Sequence, residues 1–211
     1  MTDPHGKNGS VIKSLAVVLP RYGKALGGGA EALAKSLVDN LMQLKNQPRI
    51  EVWTTCAKDH RTWENYYPAG VSSEDGVTVR RFPVDRRSTD IFLKHEFQMA
   101  EGRMLNTEEQ IAWLENSVNS RELYQYIADN GENFQAIMFA PYLFATTFWG
   151  SMIYPEKSVL IPCLHYERYA YLGVIKMMFQ RVRGLVFNSE PEMELARMLY
   201  GISDLESKSA V

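Results

Sequence analysis

Residues 15–31, LAVVLPRYGKALGGGAE, decide the fold. Five apolar residues, Leu15–Leu19, form a run that is typical of a buried strand. A loop with three consecutive glycines follows, and Ala30-Glu31 begin a helical pattern. A strand, a loop and a helix in this order open a unit in which the helix returns the chain to a parallel strand. The stretch therefore predicts an α/β protein.

Three further segments carry helical signals. After the glycine loop, apolar residues recur at helical spacing, namely Ala30, Leu33, Ala34, Leu37, Val38, Leu41 and Leu44. A second helix is predicted over about Ser120–Asp129, with Gly131 after its end. A third begins at Ser189, because Ser189 and Glu192 have the spacing of a capping box, and Gly201 ends it.

Short apolar runs alternate with these helices. They are Leu15–Leu19, Ile50–Cys56, Val77–Val84, Ala136–Ala140, Val159–Ile161 and Gly184–Asn188. Continuous apolar runs indicate strands that are covered on both faces. We predict a doubly wound, mainly parallel, Rossmann-like sheet, with residues 88–119 as a helical excursion. Residues 1–14 are predicted as a flexible tail, 15–201 as one domain, and 202–211 as a frayed tail or the start of a linker.

Composition narrows the class of protein. The chain has 211 residues, 45% of them hydrophobic, and a net charge of -2. Its basic residues form no cluster larger than doublets such as Arg80-Arg81 and Arg86-Arg87. We therefore expect no nucleic-acid partner. Two cysteines without ligand spacing predict buried free thiols and no metal site. Without an apolar signal core or a membrane-length apolar run, we expect a cytoplasmic protein.

The three glycines admit two interpretations. Gly27, Gly28 and Gly29 precede a helix whose first amides lack partners, so bare backbone there can cradle an anion. Alternatively, they only permit a sharp turn and close packing. Ala30-Glu31 exclude a Walker loop, and the spacing from Gly23 excludes the dinucleotide fingerprint. Glu31 has its own structural alternative, an exposed pair with Lys35.

A second candidate site is the stretch VLIPCLHYERYAYLG at residues 159–173. Pro162 ends the strand, which places His165 beyond a strand's carboxyl end, where α/β sheets bind ligands. An imidazole there can accept a proton near neutral pH, although a lone histidine is often structural. The tyrosines that follow it either stack on a sugar or pack the core. The other histidines lie in the polar tail (His5) or in charged segments expected to be solvated (His60 and His95).

Three motifs together resemble a known family. PRYG…GGGAE at residues 20–31, IPCLHYERYAY at 161–171 and GLVFNSEPEMELARMLYG at 184–201 resemble the N-terminal half of family 4 glycosyltransferases of the GT-B fold. The similarity runs from about Leu15 to Gly201. It implies a retaining enzyme with two Rossmann-like domains that transfers a sugar from a nucleotide-sugar, taken as a UDP-sugar, to a glycan or lipid-linked acceptor. It implies no cofactor and no metal.

The resemblance also implies residue roles. Gly27, Gly28 and Gly29 would approach the donor diphosphate, and His165 would lie near the donor sugar and bind or orient it. The residues assigned to acceptor or sugar binding are Arg21, Tyr22, Glu31, Glu167 and Arg168. Where many relatives have an acidic residue and a proline after the histidine, this chain has Tyr166 and Arg168.

The resemblance covers only one half of such an enzyme. We expect the C-terminal donor-binding domain to be a missing partner of this chain. A peripheral contact with the inner face of the membrane is one interpretation of Met177-Met178-Phe179, and a buried helix face is the other. The alternative function is a non-enzymatic Rossmann-like module that binds a glycan or a protein. The chain lacks the sequence motifs of an NAD-linked dehydrogenase.

Overall fold

The computed structural model describes residues 12–23, 26–201 and 208–211. Within them the chain forms one eight-stranded sheet flanked by helices. The strands are β1 Ser14–Val18, β2 Arg49–Thr55, β3 Gly70–Glu74, β4 Val77–Phe82, β5 Ala136–Phe139, β6 Ser158–Leu160, β7 Gly184–Val186 and β8 Ser209–Ala210. The helices are α1 Gly29–Met42, α2 Thr89–Ala100, α3 Thr107–Glu115, α4 Arg121–Asn130, α5 Ala145–Ser151, α6 Gly173–Arg181 and α7 Glu190–Tyr200.

The strand order is β3-β4-β2-β1-β5-β6-β7-β8. β1 lies inside the sheet and pairs in parallel with both β2 and β5, so that Val17 is opposite Val52 on one side and Met138 on the other. From β1 the chain first builds one side of the sheet, through β2 to β4. It then crosses to the other side of β1, where β5, β6 and β7 follow in order. Such a reversal opens a crevice at the carboxyl ends of the strands. The predicted doubly wound, mainly parallel α/β fold and its six strands are confirmed.

Alternating residues of β1 enter two separate cores. Val17 packs with Ala34 and Val38 of α1 on one face. Ala16 and Val18 belong to the larger core on the other face, which is built largely from aromatic and aliphatic side chains of α4–α7. A strand covered on both faces has no solvent-facing side, which explains its continuous apolar run.

Helix ends follow local hydrogen bonding. Ser120 caps α4, and Ser189 caps α7, while Gly201 follows α7 with a φ of 58° in the left-handed region that glycine favours. The predicted helical excursion is confirmed as α2 and α3. A full capping box between Asn106 and Glu109 begins α3.

Two strands were not predicted. β3 is an exposed antiparallel edge strand joined to β4 through Asp75 and Gly76, which have φ values of 52° and 83°. Because β3 has little apolar surface to bury, its sequence lacks the pattern of the inner strands. β8 pairs in parallel with β7 within the segment read as a tail. Residues 1–11 and 202–207 lie outside the described residues, so the domain boundaries stay predictions.

Of two expectations about side-chain burial, the first is wrong and the second is decided between its two interpretations. His95, expected to be solvated, is buried, and its Nδ1 lies 2.9 Å from Oε1 of Gln98. Its place on the inner face of amphipathic α2 explains the error. Met178 and Phe179 are buried, whereas Met177 is 38% exposed, so this stretch is mainly a core face of α6. Among the described residues, none of the helices is both long and apolar enough to span a bilayer.

The packing of α5 against β5 predicts the effect of one methyl group. A Cβ at Gly150 would lie 2.7 Å from Cε1 of buried Phe139. We expect Gly150→Ala to lower the free energy of unfolding by about 1–3 kcal/mol through overpacking. Gly173→Ala is the matched control, because its nearest neighbour, Oε1 of Gln110, is 3.6 Å away. Equal stability of the two variants in urea unfolding would contradict this packing.

Candidate functional site

Three segments at the carboxyl edge of the sheet line an open cleft of about 600 Å³. They follow β1, β6 and β7. The residues that line this cleft are Gly29, Ala30, Leu33, Cys163, Leu164, His165, Tyr166, Asn188, Ser189, Pro191, Glu192 and Leu195. Gly29 and His165, which the sequence placed at one sheet edge, therefore line the same cleft, whereas Gly27 and Gly28 are not among its lining residues.

The N-terminus of α1 is open on the cleft side. Gly28 is the N-cap residue, and no side chain caps the helix there. A Cβ at Gly27 or Gly29 would meet no atom of the described residues within 4 Å, and both glycines are exposed. A ligand can therefore approach the first amides of α1 along bare backbone. The positive end of the helix dipole favours a negative group at this position.

A carboxylate and a guanidinium flank this helix end. Glu31 pairs with Arg21, and its carboxylate occupies the space that a Cβ at Gly28 would need. The alternative pairing of Glu31 with Lys35 is wrong, since Lys35 Nζ instead contacts Asp39 at 3.0 Å and Asp75 at 3.2 Å. Because Arg21 compensates the charge of Glu31, that carboxylate does not by itself exclude a second anion from the helix end.

His165 is exposed to solvent at the wall of the cleft. It belongs to the loop that follows β6, in which Cys163 has a φ of 53°. A non-glycine residue in the left-handed region costs roughly 1 kcal/mol, so surrounding contacts must hold it there. The sequence pattern of this loop does not reveal that constraint.

Glu192 supplies the contacts that hold the loop. Its carboxylate is buried and accepts hydrogen bonds from the Leu164 amide at 2.6 Å, the Asn188 amide at 2.6 Å and Asn188 Nδ2 at 3.0 Å. One side chain thus joins the loops after β6 and β7. Only half of the predicted capping box forms: Ser189 Oγ accepts from the Glu192 amide at 3.3 Å. The Glu192 carboxylate is committed to the two loops instead.

The thiol of Cys163 lies beside this network. Asn188 Nδ2 approaches its sulfur at 3.8 Å. Burial raises the pKa of the Cys163 thiol, the negative charges of Glu192 and Glu31 add to that rise, and the contact with Asn188 opposes it. The thiol is only partly buried, whereas Cys56 is fully buried, so the prediction of a buried thiol holds for Cys56 alone.

Arg21 and Tyr22 are not among the residues that line the cleft. Both are buried, with Arg21 donating to the Lys58 carbonyl at 2.9 Å and Tyr22 packed in the smaller core. Glu167 is partly buried and accepts a hydrogen bond from the Tyr142 hydroxyl at 2.7 Å. Arg168 is exposed at the start of a short 3-10 segment. Their roles in acceptor or sugar binding stay predictions.

The tyrosines after His165 divide between the two interpretations. Tyr166 is 74% exposed and lines the cleft, with its ring edge-on to Tyr171 at 5.9 Å between centroids. Tyr169 instead stacks on Trp113 at 5.6 Å. Only Tyr166 is therefore placed to meet a ligand in this cleft.

The sequence analysis did not assign Glu192 or Cys163 to a site, and it left Tyr166 open between sugar stacking and core packing. A glutamate at the third position of a helix is usually explained by capping, and this spacing concealed its long-range contacts. The described residues contain no group of three or more histidines, cysteines or acidic residues suited to a metal ion.

Comparison with known proteins identifies the fold. No family model and no curated protein matches the chain. Its structure is similar to that of α,α-trehalose 6-phosphate synthase from Burkholderia multivorans, with a TM-score of 0.50 and 9% identity. An α,α-trehalose-phosphate synthase (UDP-forming) from Burkholderia vietnamiensis has a TM-score of 0.49 and 12% identity. The matches cover 90% of this chain and 43% and 42% of those chains, respectively. At 9% identity, the first match shows a shared fold.

The Glu192 network predicts a specific loss of stability. Glu192→Gln replaces one carboxylate oxygen by an NH₂ group. Because the two oxygens accept from the amides of Leu164 and Asn188, the NH₂ group faces another donor at either position. We expect the free energy of unfolding to fall by about 1–3 kcal/mol, the usual cost of an unsatisfied buried group. Glu194→Gln is the control, because Glu194 lies on the same helix and is exposed. Indistinguishable urea midpoints for both variants would contradict the assigned network.

Proposed function

We propose that this chain is the acceptor-side, N-terminal half of a retaining, nucleotide-sugar-dependent glycosyltransferase of the GT-B type, related to family 4. The observation that carries the proposal is the shared cleft of Gly29 and His165 at the carboxyl edge of the sheet. Transfer to a glycan or lipid-linked acceptor in polysaccharide or glycoconjugate assembly follows from the sequence resemblance. The fold shared with the Burkholderia multivorans synthase is compatible with this class.

The donor diphosphate is assigned to the open end of α1. Gly27 and Gly29 leave the main chain accessible, whereas the Glu31 carboxylate fills the space beside Gly28. The helix dipole stabilises negative charge at this end. When the sugar departs, the nucleotide diphosphate gains negative charge. Fixed amides directed at that charge stabilise the transition state without reorganising. This proposal gives the glycines a chemical role in addition to the turn that they permit.

His165 is assigned to the donor sugar. Its exposed imidazole lines the cleft, where it can hydrogen-bond a sugar hydroxyl. Glu192 acts on it through the loop, because it holds the amide of Leu164, the residue before His165. We assign no covalent nucleophile. In this proposal His165 binds and orients the donor sugar, and Glu192 positions the loop that carries His165.

A second domain completes the site in this proposal. The cleft is open, and the chain spans less than half the length of the structures that it matches. Basic groups of that domain would bind the remaining diphosphate charge. The present chain would then bind a nucleotide-sugar weakly and would require the partner domain for turnover.

Nucleotide binding tests the assignment of α1. In isothermal titration of the chain with UDP and UDP-glucose, we expect Gly29→Val to weaken binding about tenfold, because the side chain covers the first amides. Gly173→Val is the matched control, since Gly173 begins α6 outside the cleft. Equal affinities in these two variants would contradict an anion site at α1.

Sugar transfer by the protein joined to its second domain tests His165. We expect His165→Ala to lower kcat more than it changes KM for the nucleotide-sugar, and His165→Gln to retain part of the rate through its hydrogen bonds. Wild-type rates in His165→Ala would remove the histidine from the site. Glycan binding without any transfer in the joined protein would instead favour a non-enzymatic module.

Cys163 provides an internal reporter of the cleft. Because its pKa is raised, the thiolate forms at higher pH than that of an ordinary cysteine. In Cys56→Ala protein, we expect the iodoacetamide rate to rise at higher pH in the folded chain than in the urea-unfolded chain. Bound UDP should slow the reaction. A folded-state profile at or below the unfolded one would contradict the burial of this thiol.

A further inference from the structure

A second cavity lies at the same sheet edge, separate from the cleft that contains His165. This groove of about 310 Å³ receives residues from the segments that follow β2, β4, β5 and β6. Trp63 and Phe144 form part of its wall and meet edge to face at 5.2 Å. We call it the arginine groove, because Arg61 and Arg87 line it. The functions assigned above do not use either arginine.

Arg87 is a partly buried cation that has no ionic partner among the described residues. Its guanidinium donates to the Asn116 carbonyl at 3.3 Å and the Arg61 carbonyl at 3.4 Å, and it lies 5.3 Å from the ring centre of Phe92. Across residues 12–23, 26–201 and 208–211, none of the ion pairs includes Arg87. Both hydrogen bonds are long, and burial lowers the pKa of this guanidinium.

A carboxylate in the same groove is already held by other donors. Glu96 accepts from Trp113 Nε1 at 2.7 Å and from the Tyr169 hydroxyl at 2.5 Å. Stacking of Trp113 on Phe92 at 6.2 Å and on Tyr169 at 5.6 Å keeps these donors in place. Each carboxylate oxygen retains a lone pair that can accept a further donor. The groove thus offers a cation for an anion and an acceptor for a hydroxyl.

We propose that the arginine groove binds the negatively charged group of an acceptor sugar, either a phosphate monoester or a carboxylate. Arg87 would donate from its planar fork to the anion, and Glu96 would accept from a sugar hydroxyl. This assignment rests on the proposed glycosyltransferase function, since it places the acceptor at the sheet edge beside the donor cleft. Aromatic walls are suited to the apolar face of a sugar ring.

The competing explanation is structural. Arg87 also joins the segment after β2 to the C-terminal end of α3, where a cation is favoured by the helix dipole. An arginine that only links two segments of the chain requires no ligand. Ligand binding and stability must therefore be measured on the same variants.

Titration of the chain with glucose 6-phosphate, glucuronate and glucose, followed by heteronuclear NMR, tests the proposal. We expect the two charged sugars to bind and glucose to bind at least about tenfold more weakly, as the loss of a charge-assisted hydrogen bond predicts. Arg87→Gln should weaken binding of the charged sugars by a similar factor, and Arg87→Lys by less. Arg86→Gln is the matched control, because Arg86 is the adjacent exposed arginine and lines a different cavity.

The outcomes separate this proposal from the proposed function. Two results would overturn the anion site if UDP binding is retained. In the first, the charged sugars bind no better than glucose. In the second, they bind equally well to the Arg86→Gln and Arg87→Gln variants. Loss of UDP binding in Gly29→Val with unchanged glucose 6-phosphate binding would support two separate sites. Displacement of glucose 6-phosphate by UDP would place it in the donor cleft and overturn the groove assignment. If Arg87→Gln fails to fold, Arg61→Gln removes charge from an exposed wall residue and must weaken binding.

Discussion

Parallel pairing on both sides of β1 is the constraint on which the molecule depends. Because β2 and β5 both run parallel to β1, their carboxyl ends lie at one edge, and the segments that follow them must cross that edge. β6 and β7 extend the same direction. Residues far apart in sequence, such as Gly29 and His165, are thereby brought to one cleft. The position of the site is thus a consequence of strand direction.

The two helix ends at the cleft differ in how their positive charge is compensated. At the start of α7, Ser189 Oγ accepts a hydrogen bond from the Glu192 amide, and the buried Glu192 carboxylate lies beside this helix end. At α1 the nearby carboxylate of Glu31 is paired with Arg21, and no side chain caps the helix. A ligand anion therefore meets less local negative charge at α1. This difference is the electrostatic reason to assign a diphosphate there.

The sequence predicts those features that local chemistry determines. The run Leu15–Leu19 identifies a strand covered on both faces, and Ser189 identifies a helix start. It does not predict where a polar side chain goes when several partners compete. Glu192 follows the capping rule in spacing, yet it contacts Leu164 and Asn188 because the tertiary fold brings their amides within reach. Likewise, β3 has no inner face, so burial leaves no pattern in its sequence.

The loop after β6 connects the cleft that contains His165 to the arginine groove. It carries His165 to one cavity and Tyr169 to the other. Glu167, between them, is hydrogen-bonded by the buried Tyr142, and the Ala170 carbonyl accepts from Tyr200 at 3.0 Å. These anchors make the short segment a fixed spacer. Under the proposed function, one segment of backbone would hold the donor and acceptor groups at a fixed separation, as a transfer between two separately bound partners requires.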